Sequence, residues 1–188
     1  MELLSILSEM ARTKKITVIM SLHEIDLAQK ISDKIMCVKG EYISRYGAPE
    51  EIFQEDQIGE LYEIDNGYYD SCFGSTELPR IEGVPKVLVL SAGGTGIPVY
   101  RKLQKMRIPF AAGILYRNDI DYQLARLLAA EVITEEPFQE MGEEAYKNAL
   151  QVLGKCDCVI DAGFPVGTMN QKMQELKEMA EQMGKLRR

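Results

Sequence analysis

The sequence predicts an α/β protein, because strand-like and helix-like segments alternate regularly through its second half. Four short apolar runs, rich in Val, Ile and Ala, are each followed by a segment with apolar residues at helical spacing. Such alternation, joined by right-handed crossovers, is typical of a parallel sheet covered by helices on both faces. We therefore expect residues 84–188 to form a three-layer domain around a four-stranded parallel sheet.

The predicted elements of this domain follow one another without a long loop. They are strands at 86–91, 110–116, 131–134 and 158–161, and helices at 97–105, 120–129, 143–153 and 169–183. This connectivity is that of Rossmann-like domains, in which ligands bind beyond the carboxyl ends of the strands.

The composition excludes several classes of protein. The 188 residues are 46% hydrophobic and 27% charged, which is enough apolar content for a packed core. Acidic residues number 29 against 22 basic ones, a net charge of −7, so we expect no nucleic-acid partner. No apolar run approaches the ~20 residues of a membrane span, and the first residues lack a secretion signal. We therefore expect a cytoplasmic protein with free thiols.

The first 56 residues carry a shorter set of predicted elements. These are a helix over the first dozen residues, a strand at 16–22, a helix at 23–31 and strands at 34–39 and 42–46. Gly40-Glu41 between the last two strands is a hairpin signal. A further helix is predicted near Pro49, since proline suits the first helical turn. Residues 57–83 show no clear period and are interpreted as a connector with short extended segments.

Three motifs occur in a fixed order in this first part. The strand at 16–22 runs into His23-Glu24, Ser32-Asp33-Lys34 opens the next strand, and Gly47-Ala48-Pro49-Glu50-Glu51-Ile52 begins the last helix. In this order they resemble the C-terminal end of an ABC transporter ATP-binding subunit. The resemblance covers residues 2–56 and is strongest to the branch that serves iron-siderophore and cobalamin importers.

The resemblance implies a catalytic role for His23, the single histidine of the chain. In this family the residue at that position is the switch histidine, which contacts the γ-phosphate of ATP and the attacking water. The resemblance also implies ATP and Mg²⁺ as cofactors of the complete subunit. Its implied partners are membrane permease subunits and a second ATP-binding subunit, in a homodimer at the inner face of the cell membrane.

The sequence departs from the family in two places. It contains no phosphate loop of the form Gly-x4-Gly-Lys-Ser/Thr, and no run of four apolar residues followed by Asp-Glu. These elements hold the phosphates of ATP and the magnesium ion. We therefore expect the chain alone not to hydrolyse ATP. We interpret it as a C-terminal α/β fragment of an ABC ATPase domain, residues 1–56, followed by the connector and the appended domain at 84–188.

Two glycine-rich turns form the candidate binding site of the appended domain. Gly93-Gly94-Thr95-Gly96 follows its first strand, and Asp161-Ala162-Gly163 follows its fourth. Glycine lets a ligand approach the backbone closely, and a helix N-terminus offers N–H groups to an anion. In the strand order 3-2-1-4, both turns meet where the connections diverge to opposite faces. The residues of the first turn are explained most simply by a tight turn that merely requires glycine. The meeting of both turns adds support for the alternative, a crevice for a nucleotide or another small anionic ligand.

Two further groups have alternative interpretations. Asp119 and Asp121 follow the second strand, where an acidic residue binds a ribose hydroxyl or caps the next helix, and the capping preference favours the cap. Cys156 and Cys158 have no histidine nearby, so they are interpreted as thiols and no metal site is expected. For the whole domain we weigh a ligand-sensing or regulatory module against a nucleotide-using enzyme and a ligand-free dimerisation scaffold.

Overall fold

The computed structural model of the chain describes residues 2–54, 67–70 and 72–187. The chain divides into two compact units, Met1–Thr76 and Glu77–Arg188. Part of the predicted connector at 57–83, including Tyr62, lies outside the described residues. None of the helices in the described ranges is long and apolar enough to cross a membrane.

The N-terminal unit consists of short helices and two small hairpins. Its elements are α1 (Glu2–Lys14), α2 (Ile25–Ile31), β1 (Ile35–Lys39), β2 (Tyr42–Gly47), α3 (Pro49–Ile52), β3 (Tyr68–Asp70) and β4 (Ser75–Glu77), whose last residue begins the next unit. Strands β1 and β2 pair antiparallel across a turn in which Gly40 has a φ of 62°. The predicted hairpin and the helix at Pro49 are therefore confirmed.

The strand predicted at residues 16–22 is wrong. The segment is irregular, and Ile16, Ile19 and Met20 expose 45%, 77% and 39% of their surface. A strand needs a neighbouring strand to satisfy its backbone N–H and C=O groups. Among the strands of the described part of the chain, none pairs with this segment. The helix that follows begins at Ile25 and not at His23.

The N-terminal unit has a small apolar core. Phe53 and Tyr69 are buried, and Ile25, Ala28 and Ile35 pack against them from α2 and β1. The burial of these few side chains joins α2, the hairpin and β3 into one unit.

The C-terminal unit is an α/β domain with a parallel sheet. Its elements are β5 (Val87–Leu90), α4 (Ile97–Lys105), β6 (Phe110–Tyr116), α5 (Ile120–Leu128), β7 (Glu131–Glu135), α6 (Glu143–Lys155), β8 (Cys158–Asp161), α7 (Gln171–Gln182) and β9 (Leu186–Arg187). The strands lie in the order β7-β6-β5-β8-β9, and each neighbouring pair is parallel. The predicted α/β class and the order 3-2-1-4 of the first four strands agree with this sheet.

The sheet has five strands, so the predicted four-stranded sheet is corrected. The fifth strand, β9, pairs with β8 through Val159 opposite Leu186 and Ile160 opposite Arg187. Two residues are too few to show a strand period in a sequence. The ammonium of Lys185 donates to the carbonyl oxygens of Leu153, Gly154 and Cys156 at 3.0, 3.1 and 2.7 Å, which anchors the entry to β9 at the end of α6.

The helices form two layers. Helix α4 packs with α5, and α6 packs with α7. Because parallel crossovers are right-handed, the connections that run from β5 towards β7 lie on one face and those that run towards β9 lie on the other. The chain changes direction between β5 and β8, where Leu90 lies opposite Asp161.

The core of this unit lies on the strands and on one side of each helix. Strand β5 is buried at every residue, as expected for a central strand covered on both faces. The largest side chains with less than 2% exposure are Tyr100, Phe110, Leu88, Leu90, Ile114, Leu115, Leu124, Leu128, Leu153, Met173 and Leu176. They hold α4, α5, α6 and α7 against the sheet.

A buried polar network joins the loop after β5 to the starts of α4 and α5. Asp121 has no exposed surface, and its two carboxylate oxygens accept the Gly96 N–H at 3.1 and 3.2 Å. The Ser91 hydroxyl, also buried, bonds to the Tyr100 hydroxyl, and it lowers the pKa of the Asp121 carboxyl. Burial raises the pKa of the Asp121 carboxyl, and the Gly96 hydrogen bond opposes that shift.

Gly96→Ala should destabilise the protein. An added Cβ would lie 2.5 Å from Ser91 Oγ and 2.6 Å from Tyr100, inside the buried network. We expect a loss of about 1–3 kcal/mol in the free energy of unfolding, as for other overpacked sites. Urea unfolding of the full chain, followed by circular dichroism, measures it.

Gly154→Ala is the matched control, because a Cβ at this helical glycine meets no atom within 4 Å. Alanine is the better helix former, so this variant should be unchanged or up to about 1 kcal/mol more stable. Equal effects of the two substitutions would contradict the packing role of Gly96.

Asp121→Asn should change how stability depends on pH. The pKa of Asp121 is raised in the folded state, so the stability that it contributes is complete below its unfolded pKa and is lost as pH rises through the folded pKa. Asparagine does not titrate. The wild type should therefore lose stability relative to the variant as pH rises from about 4, the usual carboxyl pKa, towards neutrality. Urea midpoints between these pH values measure the difference.

The exposed Asp157 supplies the control for that experiment. Asp157→Asn removes the same charge from the surface and should follow the wild-type pH profile. The assignment would be refuted if the wild type became more stable relative to the Asp121→Asn variant as pH rises.

Candidate functional site

The two glycine-rich turns lie side by side at the carboxyl edge of the sheet. Leu90 and Asp161 are register partners at the ends of β5 and β8, and the Ala162 N–H donates to the Leu90 carbonyl at 3.0 Å. Gly93 and Gly163 have φ values of 65° and 85°, and a Cβ at either position would meet nothing within 4 Å. The structure therefore brings these predicted site residues to one edge, with open space above both turns.

The other predicted residues of the first turn are directed into the protein. Gly94 has a φ of 94°, and its Cβ position is 3.5 Å from the Ile120 side chain. The Thr95 hydroxyl accepts the Ala92 N–H at 3.2 Å and lies 3.1 Å from the Ala92 carbonyl oxygen, which closes the turn. Gly96 packs inside, as described above. Of the four residues at 93–96, Gly93 alone faces the open edge.

Asp119 connects this turn to the next one along the sheet. Both of its carboxylate oxygens accept the Gly93 N–H at 3.0 Å, and Oδ1 also accepts the Asp121 N–H at 2.9 Å. Asp119 is the N-cap residue of α5. The capping interpretation of Asp119 is therefore confirmed.

Asp161 forms an ion pair at the second turn. Its Oδ2 lies 2.7 Å from Nζ of Lys177, and its Oδ1 accepts the Gly163 N–H at 2.9 Å. The Asp161 side chain is 9% exposed and that of Lys177 is 27% exposed. The lysine ammonium also lies 5.7 Å from the centre of the Phe164 ring. The negative charge of Asp161 is thus largely balanced within the chain.

Sequence reasoning did not find Lys177. It lies four residues after Met173 and three before Ala180, which are both fully buried. This spacing places Lys177 on the buried face of the helix, and it was the available signal. Nothing in the sequence indicated that this lysine reaches the end of β8, because the placement of α7 across the sheet is a tertiary property.

Tyr116 joins the loops that follow three strands. It ends β6, and its hydroxyl lies 2.8 Å from the carbonyl oxygens of both Gln139 and Met169, which belong to the loops after β7 and β8. Burial is the largest cause that raises the pKa of Tyr116. The Arg117 guanidinium pairs with the Glu136 carboxylate at 2.9 Å on the same edge. These links join the loops that follow β6, β7 and β8 at the carboxyl edge of the sheet.

The two cysteines near β8 are thiols. Cys156 is buried and Cys158 is half-buried, and burial raises the pKa of the Cys156 thiol to about 11. In the described ranges, no three His, Cys, Asp or Glu side chains are placed to hold a metal ion.

His23 belongs to the other unit. It is exposed and lies just ahead of α2, whose N-cap residue is Glu24. His23 and the glycine-rich turns at the carboxyl edge are therefore two candidate sites, one in each unit.

Three relatives link this chain to known proteins. The uncharacterized ABC transporter ATP-binding protein MJ0873 of Methanocaldococcus jannaschii is 34% identical over 116 residues, or 61% of this chain and 40% of that protein. The petrobactin import ATP-binding protein FpuD of Bacillus anthracis is 30% identical over 64 residues, or 34% of this chain and 23% of that protein. The chain thus spans less than half the length of these two proteins.

The third relative matches the chain over most of its own length. The uncharacterized protein MJ0874 of Methanocaldococcus jannaschii is 35% identical over 72 residues, or 38% of this chain and 77% of that protein. The model of the MJ0874 family matches residues 110–186, from β6 into β9. No solved structure matches the chain. The chain is related to ABC transporter ATP-binding proteins in sequence, and it belongs to the MJ0874 family.

Proposed function

We propose that the chain acts as part of the ATP-binding subunit of an ABC importer of the iron-siderophore, haem or cobalamin class. In this proposal the N-terminal unit completes a nucleotide-binding domain, and the C-terminal unit senses a small ligand and regulates transport. The complete subunit would pair with a second copy beneath membrane permease subunits at the inner face of the cell membrane.

The observation that carries the first half of the proposal is the apolar outer face of the β1–β2 hairpin. Met36 is paired with Tyr46, and Val38 with Ile43. These four side chains expose between 46% and 67% of their surface, whereas Cys37 on the opposite face is buried. A contiguous exposed apolar patch of this kind marks an interaction surface.

The irregular segment at 16–22 adds to that observation. It has strand-like composition and exposed apolar side chains, and it lies directly before His23. A strand neighbour supplied by the remainder of a nucleotide-binding domain would pair with it and cover the hairpin. The sequence lacks the phosphate loop and the acidic pair, so its own residues do not form an ATP site.

The second half of the proposal rests on the two open glycine-rich turns at the carboxyl edge. Gly93 and Gly163 leave the backbone accessible, and Asp161 with Lys177 supplies charged groups close to it. Ligands of open α/β sheets bind at this switch point. Residues Gly94, Thr95 and Gly96 would support the turn from behind. This placement favours a sensing module over a scaffold that binds nothing.

His23→Ala in the complete subunit should abolish ATP turnover and spare ATP binding. Loss of a group that assists proton transfer lowers turnover about 10²–10⁴-fold. Phosphate release and nucleotide binding are measured on the same preparation. Lys30→Ala, at an exposed position of α2, is the control and should turn over ATP like the wild type. Wild-type turnover in the His23→Ala subunit would refute the assignment.

Ligand sensing predicts that a small molecule raises the thermal midpoint of the full chain. Cobinamide, haemin, nucleotides and NAD(P) are the probes. For any probe that raises the midpoint, Gly93→Ala should weaken binding at least tenfold, because the alanine Cβ projects into the open edge.

Gly184→Ala is the matched control for that experiment. Gly184 has a φ of 67°, close to the 65° of Gly93, and its Cβ position is equally open, but it lies before β9 and away from the glycine-rich turns. Both variants should lose similar stability, since alanine is strained in this backbone conformation. If no probe shifts the midpoint, or if both variants bind alike, the sensing proposal is wrong.

A further inference from the structure

Four of the five backbone N–H groups at residues 92–96 are hydrogen-bonded within the chain. The Ala92 N–H donates to the Thr95 hydroxyl, the Gly93 N–H to Asp119, and the Thr95 N–H to the Ala92 carbonyl at 3.4 Å. The Gly96 N–H donates to the Asp121 carboxylate at 3.1 and 3.2 Å, and the Gly94 N–H lowers the pKa of the same carboxyl group. The N–H groups of Ala92, Gly93, Thr95 and Gly96 could therefore bind a ligand only by breaking a hydrogen bond within the chain.

The two carboxylates lie where a phosphate would bind such a turn. In dinucleotide-binding domains, the N–H groups of the glycine-rich turn and of the following helix receive a pyrophosphate. Here Asp121 occupies the start of α4, and Asp119 occupies the exposed end of the turn through both of its oxygens. An incoming phosphate would have to displace a carboxylate and would meet like charge.

We propose that Asp119 and Asp121 act as internal anions that close the glycine-rich turn to phosphate, so that the C-terminal unit discriminates against nucleotides at this position. This inference rests on the proposed sensing function and narrows its ligand to molecules that present no phosphate to the turn. Such a ligand contacts the open backbone at Gly93 and Gly163.

Asp119 is the specificity-determining residue of this arrangement. Asp121 is buried and tied into the packing of Ser91 and Tyr100, whereas Asp119 is only half-buried and bonds to the exposed Gly93. Removing the Asp119 carboxylate therefore frees the Gly93 N–H without disturbing the core. Serine retains the N-cap preference of the position, so helix α5 should persist.

The test compares the amide resonances of the full chain in the wild type and in Asp119→Ser. Inorganic phosphate, ADP and NAD are titrated as probes while the Gly93, Gly94 and Gly96 amides are observed. We expect no saturable shift of these amides in the wild type. In Asp119→Ser we expect the shift of the Gly93 amide caused by phosphate to be at least tenfold larger than in the wild type. Asn118→Ser, one residue away and exposed, is the control and should behave like the wild type.

Each outcome decides the inference. Saturable shifts of these amides in the wild type would show that the turn is open and would overturn it. Equal responses of the wild type and Asp119→Ser, including none in either, would overturn the role of Asp119. These outcomes are independent of the sensing function, which fails when no probe of any class stabilises the chain.

Discussion

The buried carboxylate of Asp121 is the interaction on which the C-terminal unit depends at its functional edge. Its hydrogen-bond partner Gly96 lies in the turn between β5 and α4, and Asp121 itself lies in the first turn of α5. One side chain therefore joins the starts of α4 and α5 to the end of the central strand β5. Burial of an ionised carboxyl is costly, and the N–H groups at the start of α4 offset part of that cost. The pKa of Asp121 is raised because this compensation is incomplete.

The same arrangement explains why the glycine-rich turn at 93–96 has the composition of a phosphate-binding loop. It also explains how the turn differs from such a loop. Glycines are required at 94 and 96 by a positive φ and by close packing, not by a ligand. The anion that such a turn accommodates is supplied by the next turn of the same chain. At the second turn, the carboxylate of Asp161 is balanced by Lys177 from α7. Charge at this edge is therefore mostly paired internally.

Much of the C-terminal unit could be predicted because its strands are central. The predicted strands at 110–116 and 158–161 coincide with β6 and β8, since strands covered on both faces are continuous apolar runs bounded by polar turns. The strand order agrees with the common doubly wound order that was assumed for the prediction. At residues 16–22 the same strand-like composition predicted a strand that is not present, because composition does not supply a hydrogen-bonding neighbour.

By itself, the sequence determined the class of the fold, the ends of β6 and β8 and the N-cap at Asp119, and, with the common strand order assumed, the meeting of the two glycine-rich turns. These features depend on local periodicity, capping and handedness. The tertiary structure alone decided that β9 joins the sheet, that Lys177 reaches Asp161, and that the N–H groups of the first turn are already paired. Such contacts join residues 16 to 27 positions apart in the chain. Their partners are chosen by how the helices and strands pack, which local sequence patterns do not encode.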